Sequence, residues 1–214
     1  GGLIYPDGND SKGIGLYLGY NPASTGNATV TGVEPVSETQ TTLEIESGAG
    51  VVGNYGNGSL TMTNGGFTGF DGNDTNGIGL YLGDNANSTG SVTVTGVDPV
   101  WHIPSNLGVE SGARVVGGQG KGNLTLANGG YADISGSDGS GIGLYIGENA
   151  NSTGTVTVSD AVYNPDADSY IQSELDVDNG ATVVGYNGTG NLVVSNGGNI
   201  DLSGNDSSGV GLYI

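Results

Sequence analysis

The chain has no cysteine, one histidine and only three basic residues in 214. Without cysteine there is no disulfide, no thiolate metal site and no thiol nucleophile, while the redox compartment stays open. A single histidine excludes metal ligation by a histidine cluster. Three Lys+Arg stand against 22 Asp+Glu, for a formal charge of −19. No basic surface exists to neutralise phosphates, which excludes DNA and RNA as partners, and an anionic bilayer is excluded on the same ground. No apolar run approaches the ~18 residues of a membrane span. No basic-then-apolar leader opens the chain. Direct membrane insertion of these residues is therefore not expected.

What the chain has is glycine, 45 of them, with a hydrophobic share of 34%. Such a composition is compatible with disorder unless the apolar residues are patterned. They are. Gly-Ile-Gly-Leu-Tyr-Leu-Gly starts at Gly13 and at Gly77, Gly-Ile-Gly-Leu-Tyr-Ile-Gly at Gly141, and Gly-Val-Gly-Leu-Tyr-Ile at Gly209. The steps are 64 (77 − 13), 64 (141 − 77) and 68 (209 − 141). Gly-x-Asp-x-x-Gly keeps the same step around Asp10, Asp74, Asp138 and Asp206. Fixed periodicity of this kind marks a solenoid. The units run 13–76, 77–140 and 141–208 within a single segment spanning 1–214.

Each unit divides into two halves of three short segments. In them apolar and polar residues alternate, and Gly, Asn, Asp and Ser separate them, as expected of strands. No stretch carries a capped 3.6-residue period, so no helix is expected. Stacking each segment on its equivalent in the next half predicts an all-β, right-handed parallel β-helix of three short strands per coil and about six to seven coils. Alternation then puts Ala28, Leu60, Val92, Leu124, Val156 and Leu192 inside. Two residues later it does the same for Val30, Met62, Val94, Leu126, Val158 and Val194.

The outward rows are the candidate surfaces. Thr29, Thr61, Thr93, Thr125 and Thr157 begin a hydroxyl ladder. Threonine suits an exposed strand face in any case, and the row breaks at Ala127 and Val193, which sets aside its similarity to ice-binding β-solenoids. A second row runs Tyr17, Val51, Tyr81, Val115, Tyr145, Val183, Tyr213. If exposed, its rings would stack on sugars or pack against another rod, although stacking of like residues down a sheet explains them as well. Glu44, Glu46, Glu110, Asp133, Asp176, Asp178 and Asp201 form an acidic face that keeps the rod soluble. No cofactor is called for, and loosely held calcium is the one candidate cation. The Gly-x-Asp-x-x-Gly segments are explained by Asx turns. The longest inter-strand segments carry Trp101 and His102, then Tyr163 and Tyr170. Insertions on one side of a solenoid often carry recognition. Stacked carboxylates are unavoidable here, and no level of the repeat concentrates an acid–base set, so no enzymatic activity is expected.

Val51-Val52-Gly53 followed by Gly58-Ser59-Leu60-Thr61-Met62-Thr63-Asn64-Gly65-Gly66 resembles the glycine-rich repeat of autotransporter passengers. So do the stretches from Val115 to Gly130 and from Val183 to Gly198, and Val100-Trp101 ahead of a Leu-x-Val strand. The resemblance implies a protein exported by type V secretion and displayed on a Gram-negative outer membrane, as an AIDA-type adhesin or a self-associating protein. A signal peptide and a membrane barrel, both parts of that family, have no counterpart in these residues. Entry mid-unit at Gly1-Gly2 and the stop inside a strand at Ile214 are expected of a segment of a longer protein, or of open ends that stack end to end. The resulting expectation is an extracellular, cell-surface module bound to itself or to a surface glycan or protein. The alternatives are a spacer stalk or filament subunit, and least of all a polysaccharide-active enzyme.

Overall fold

The structure is a computed structural model that describes residues 2–214. Among them there is no helix. Twenty strands form three parallel sheets, each the wall of one solenoid. The first wall stacks Leu3–Ile4, Thr42–Ile45, Phe67–Phe70, Asn106–Val109, Tyr131–Ile134, Glu174–Val177 and Asn199–Asp201. Ile14–Leu18, Ala49–Val52, Ile78–Leu82, Ala113–Val116, Ile142–Ile146, Ala181–Val184 and Leu212–Tyr213 make the second. Six seven-residue strands make the third: Thr25–Thr31, Asn57–Thr63, Thr89–Thr95, Lys121–Ala127, Thr153–Ser159 and Thr189–Ser195. The chain therefore winds through about seven coils, and each predicted half-unit is one of them.

Two kinds of coil alternate, which is why the sequence repeats every second turn. The coils containing Gly-Ile-Gly-Leu-Tyr have a long turn between the first and second walls, around Asp10, Asp74, Asp138 and Asp206. The others close that corner in three residues, and the elaborated connections between the third and first walls are those that lead from a Gly-Ile-Gly-Leu-Tyr coil into the next. The third wall is unaffected by this exchange. Equivalent residues such as Thr31 and Thr63 lie 32 apart, and its strands pair residue for residue with no shift of register.

The interior follows the predicted rows. Leu60, Met62, Val92, Val94, Leu124, Leu126, Val156 and Val158 are buried in one continuous core with Ile45, Phe70, Leu107, Val109, Leu175 and Val177. Each such side chain contributes roughly 1.5–3 kcal/mol by leaving water. Ala28 and Leu192 only partly join that core. Val194 is 49% exposed, because no described strand stacks beyond Thr189–Ser195.

Inside the second wall, Leu16, Gly50, Leu80, Arg114, Leu144, Thr182 and Leu212 form one register column. At Gly50 the missing side chain is replaced from across the coil, since an added Cβ would run into the Phe70 ring. Arg114 sits in the core. Its Nη1 donates to the Gly112 carbonyl at 3.0 Å, its Nη2 reaches toward the Asp133 carbonyl at 3.5 Å, and its Nε has no partner.

Candidate interaction surfaces

The tyrosine row lies in the predicted register, Tyr17 to Val51 to Tyr81 to Val115 to Tyr145 to Val183 to Tyr213. It is not a bare aromatic strip. The long turns fold back over the second wall and make a small apolar layer outside the coil. Ile78, Ala113, Val115, Ile142, Tyr145, Ala181 and Val183 are buried there, and Tyr81 packs against them. Ile14, Ala49 and Val51 do the same one unit earlier, beside Tyr17. Tyr145 is 7% exposed, whereas Tyr213 at the end of the row is 39% exposed.

One aspartate per turn holds this arrangement. Oδ1 of Asp74 accepts the backbone N–H groups of Asn76 and Ile78, both at 2.9 Å, and Oδ2 accepts the Tyr81 hydroxyl at 3.0 Å. Asp138 does likewise for Ser140, Ile142 and Tyr145, at 2.8, 3.0 and 2.8 Å. Asp10 serves Lys12, Ile14 and Tyr17, and Asp206 serves Ser208, Val210 and Tyr213. The Asx-turn geometry predicted for these segments is present in all four, with a tyrosine added. With at least three donors on each carboxylate the turns resemble no calcium loop, and no group of three or more His, Cys, Asp or Glu that could hold a metal occurs among the described residues. The hydrogen bonds hold the Asp10 and Asp206 carboxyls below the usual carboxylate range. Burial, reinforced by the neighbouring aspartate, pushes the Tyr81 and Tyr145 hydroxyls well above theirs.

Between successive pinned turns the surface opens into clefts. One of about 210 Å³ is lined by Lys12, Tyr17, Asp74, Tyr81 and Asp84. The next, about 290 Å³, is lined by Asn76, Tyr81, Asp84, Asp138, Glu148 and Asn149. Burial pushes the Asp84 and Glu148 carboxyls up; the Lys12 ammonium opposes this at Asp84, while Asp84 and Asp138 add to it at Glu148. Neither Asp84 nor Glu148 stood out as a site residue in the sequence. The signal that exposes them is the seven-residue Asp-to-Tyr spacing, which says that the turn closes over the strand.

The corner between the third and first walls carries the other candidates. Single antiparallel bridges, Val33 to Gln40 and Val97 to Pro104, close the first two excursions. In the third, the four extra residues lengthen the bridge into a hairpin, Ala161–Asn164 against Ser169–Gln172. Tyr163 and Tyr170 face each other across it, edge to face at 5.4 Å, 47% and 69% exposed. Asp98 shapes the middle excursion by accepting the Val100 and Trp101 N–H groups at 2.9 and 2.8 Å. That leaves Trp101 39% exposed rather than sealing the corner. His102 Nε2 lies 3.3 Å from Asp166 Oδ2 in the hairpin, so the structure brings His102, Tyr163 and Tyr170 to one corner.

No family model matches this chain, and neither a curated protein nor a solved structure does. Its surfaces must be judged on their own chemistry.

The acidic residues lie where expected, on the outside of the first wall. Asp133, Asp176 and Asp201 stand on three adjacent strands in register. Glu110 and Asp178 are exposed just past their strands, and Asp178 accepts the Ser203 hydroxyl at 3.0 Å. Like charges directly opposite destabilise a sheet. Burial, with Asp178, Asp201 and Asp133 as neighbours, pushes the Asp176 carboxyl up to about 6. Burial raises Asp133 too, against the pull of Arg114.

A carboxyl whose folded pKa exceeds its unfolded value, 3.8 for Asp176, favours folding when protonated. Its contribution is complete below the unfolded value and is lost as pH rises through the folded one. Asp10 and Asp206, with lowered values, act oppositely and only below about pH 4. The melting temperature should therefore rise as pH falls from 7 towards 4 and drop below that. Asp176→Asn should raise it at pH 7 and flatten the climb. A melting temperature that falls steadily from pH 7 to 5 would contradict this account of the ladder.

Proposed function

We propose that this protein is a module of an extracellular bacterial surface adhesin, working by many weak contacts along a β-helical rod rather than by chemistry. The observation that carries the reading is the repetition of surface chemistry in register. Pinned tyrosine turns, carboxylate clefts and elaborated corners return at every second coil, about 9.6 Å apart at ~4.8 Å per coil. Evenly spaced weak sites on a stiff support give avidity without a deep pocket. Partners that suit it are a second copy of the rod or a neutral surface glycan, the latter at the corner of Trp101, His102, Tyr163 and Tyr170.

Beads coated with the chain at graded density test this. Clumping, or retention on immobilised glycans, should appear above a threshold density and rise more steeply than linearly. Soluble chain should compete poorly. Neutralising Glu110→Gln with Asp178→Asn should increase clumping at low salt, where the Debye length is long. Beads that neither clump nor bind any glycan at any density or salt would overturn the reading in favour of a spacer stalk.

A further inference from the structure

The third wall differs in charge from the rest of the rod. None of the 22 Asp and Glu residues falls in its six strands, and Lys121 is their only charged residue. Its outward positions read Asn27, Ser59, Ser91, Asn123, Thr155 and Asn191 in one row. Thr29, Thr61, Thr93, Thr125, Thr157 and Val193 follow in the next. In the four central strands these side chains alternate strictly with buried ones, and in all six they are partly or fully exposed. The acids lie instead outside the first wall, in the turns and clefts beside the second, and in the excursions at the third wall's edge, which carry Glu34, Glu38, Asp98, Asp160, Asp166 and Asp168.

We infer that the third wall is the face through which two copies of this protein associate, sheet against sheet. The inference rests on the self-association reading above and names its surface. A rod of charge −19 repels its copy wherever carboxylates meet carboxylates. The second wall's strands are free of acids too, but the turns of Asp10, Asp74, Asp138 and Asp206 cover them, which leaves the third wall as the open acid-free face. Hydroxyl and amide groups each donate and accept, so a plane of them is complementary to itself, as a two-fold interface requires. Absence of bulges and register shifts keeps the plane regular. Six strands at ~4.8 Å and seven residues at ~3.3 Å span roughly 29 by 23 Å. Two such faces bury about 1,300 Å² together, inside the range of specific interfaces.

The full chain, which has no cysteine, allows a direct test. Sedimentation should show a dimer that tightens with salt, as screening removes residual repulsion. Thr93→Glu with Thr125→Glu, at the centre of the wall, should weaken it at least tenfold, while Val36→Ser, 89% exposed in the first excursion, leaves it unchanged. Thr93→Cys should form an intermolecular disulfide under mild oxidation, and Val36→Cys should not; this pair decides the matter should the glutamate variant misfold. A dimer that survives the glutamates, or Val36→Cys linking faster than Thr93→Cys, would overturn the assignment of the wall and leave self-association standing. A monomer at every salt and concentration would overturn both.

Discussion

Replacing Gly90 by alanine should cost this protein about 2–3 kcal/mol or more, the scale of an overpacked core, and its denaturant midpoint should fall accordingly. The second residue of every third-wall strand is glycine: Gly26, Gly58, Gly90, Gly122, Gly154 and Gly190. At this corner the chain crosses close over the coil before it. A Cβ on Gly90 would meet the Val52 carbonyl oxygen, the Gly83 nitrogen and, at 2.8 Å, the Leu82 Cα. All three are backbone atoms, so no rotamer can relieve the clash. Each coil of a solenoid is held only by its neighbours, and strand Thr89–Thr95 sits near the middle of its wall, so the loss falls on both adjoining interfaces. Gly139→Ala is the control. Nothing lies within 4 Å of an added Cβ there, and the change should stay within about 0.5 kcal/mol. Equal effects at the two sites would refute the close-crossing account.

Arg114→Met should have the opposite sign and raise stability by about 1–3 kcal/mol, the cost of leaving a buried polar group without a partner. Arg114 is 3% exposed and stands between Leu80 and Leu144 in a column of inward side chains. Burial weighs against its charge, and Asp133 opposes that only in part. One of its nitrogens is unpartnered beside a small apolar void lined by Leu80, Leu107, Leu124 and Ile134. An unbranched thioether follows the path of the arginine stem and asks for no hydrogen bonds. Thermal unfolding decides. A melting temperature lowered by Arg114→Met, but restored when Asp133→Asn accompanies it, would instead show that the guanidinium holds the acidic ladder together. That coupling is measurable as a double-mutant cycle.

Both variants bear on how far side-chain alternation can be trusted. Arg114 points inward beside Leu80 and Leu144, a position that its residue type argues against. Parity places Tyr145 outward, which is true of the coil and misleading about solvent. The turn carrying Asp138 folds over that tyrosine and buries it. Trp101 lies on the surface because Asp98 organises the loop beneath it.

The 64-residue repeat, the strand faces, the absence of helix and the near-seven coils all follow from local alternation and its recurrence, and so were determined by the amino-acid order alone. Which outward residues meet water was decided only by the tertiary structure. Coverage depends on where a turn comes to rest over a neighbouring strand, and that depends on one carboxylate meeting one hydroxyl seven residues away. The freedom of the third wall from acids combines the two. Its residues are plain in the sequence, but only stacking of the coils gathers six separate strands into a single acid-free plane.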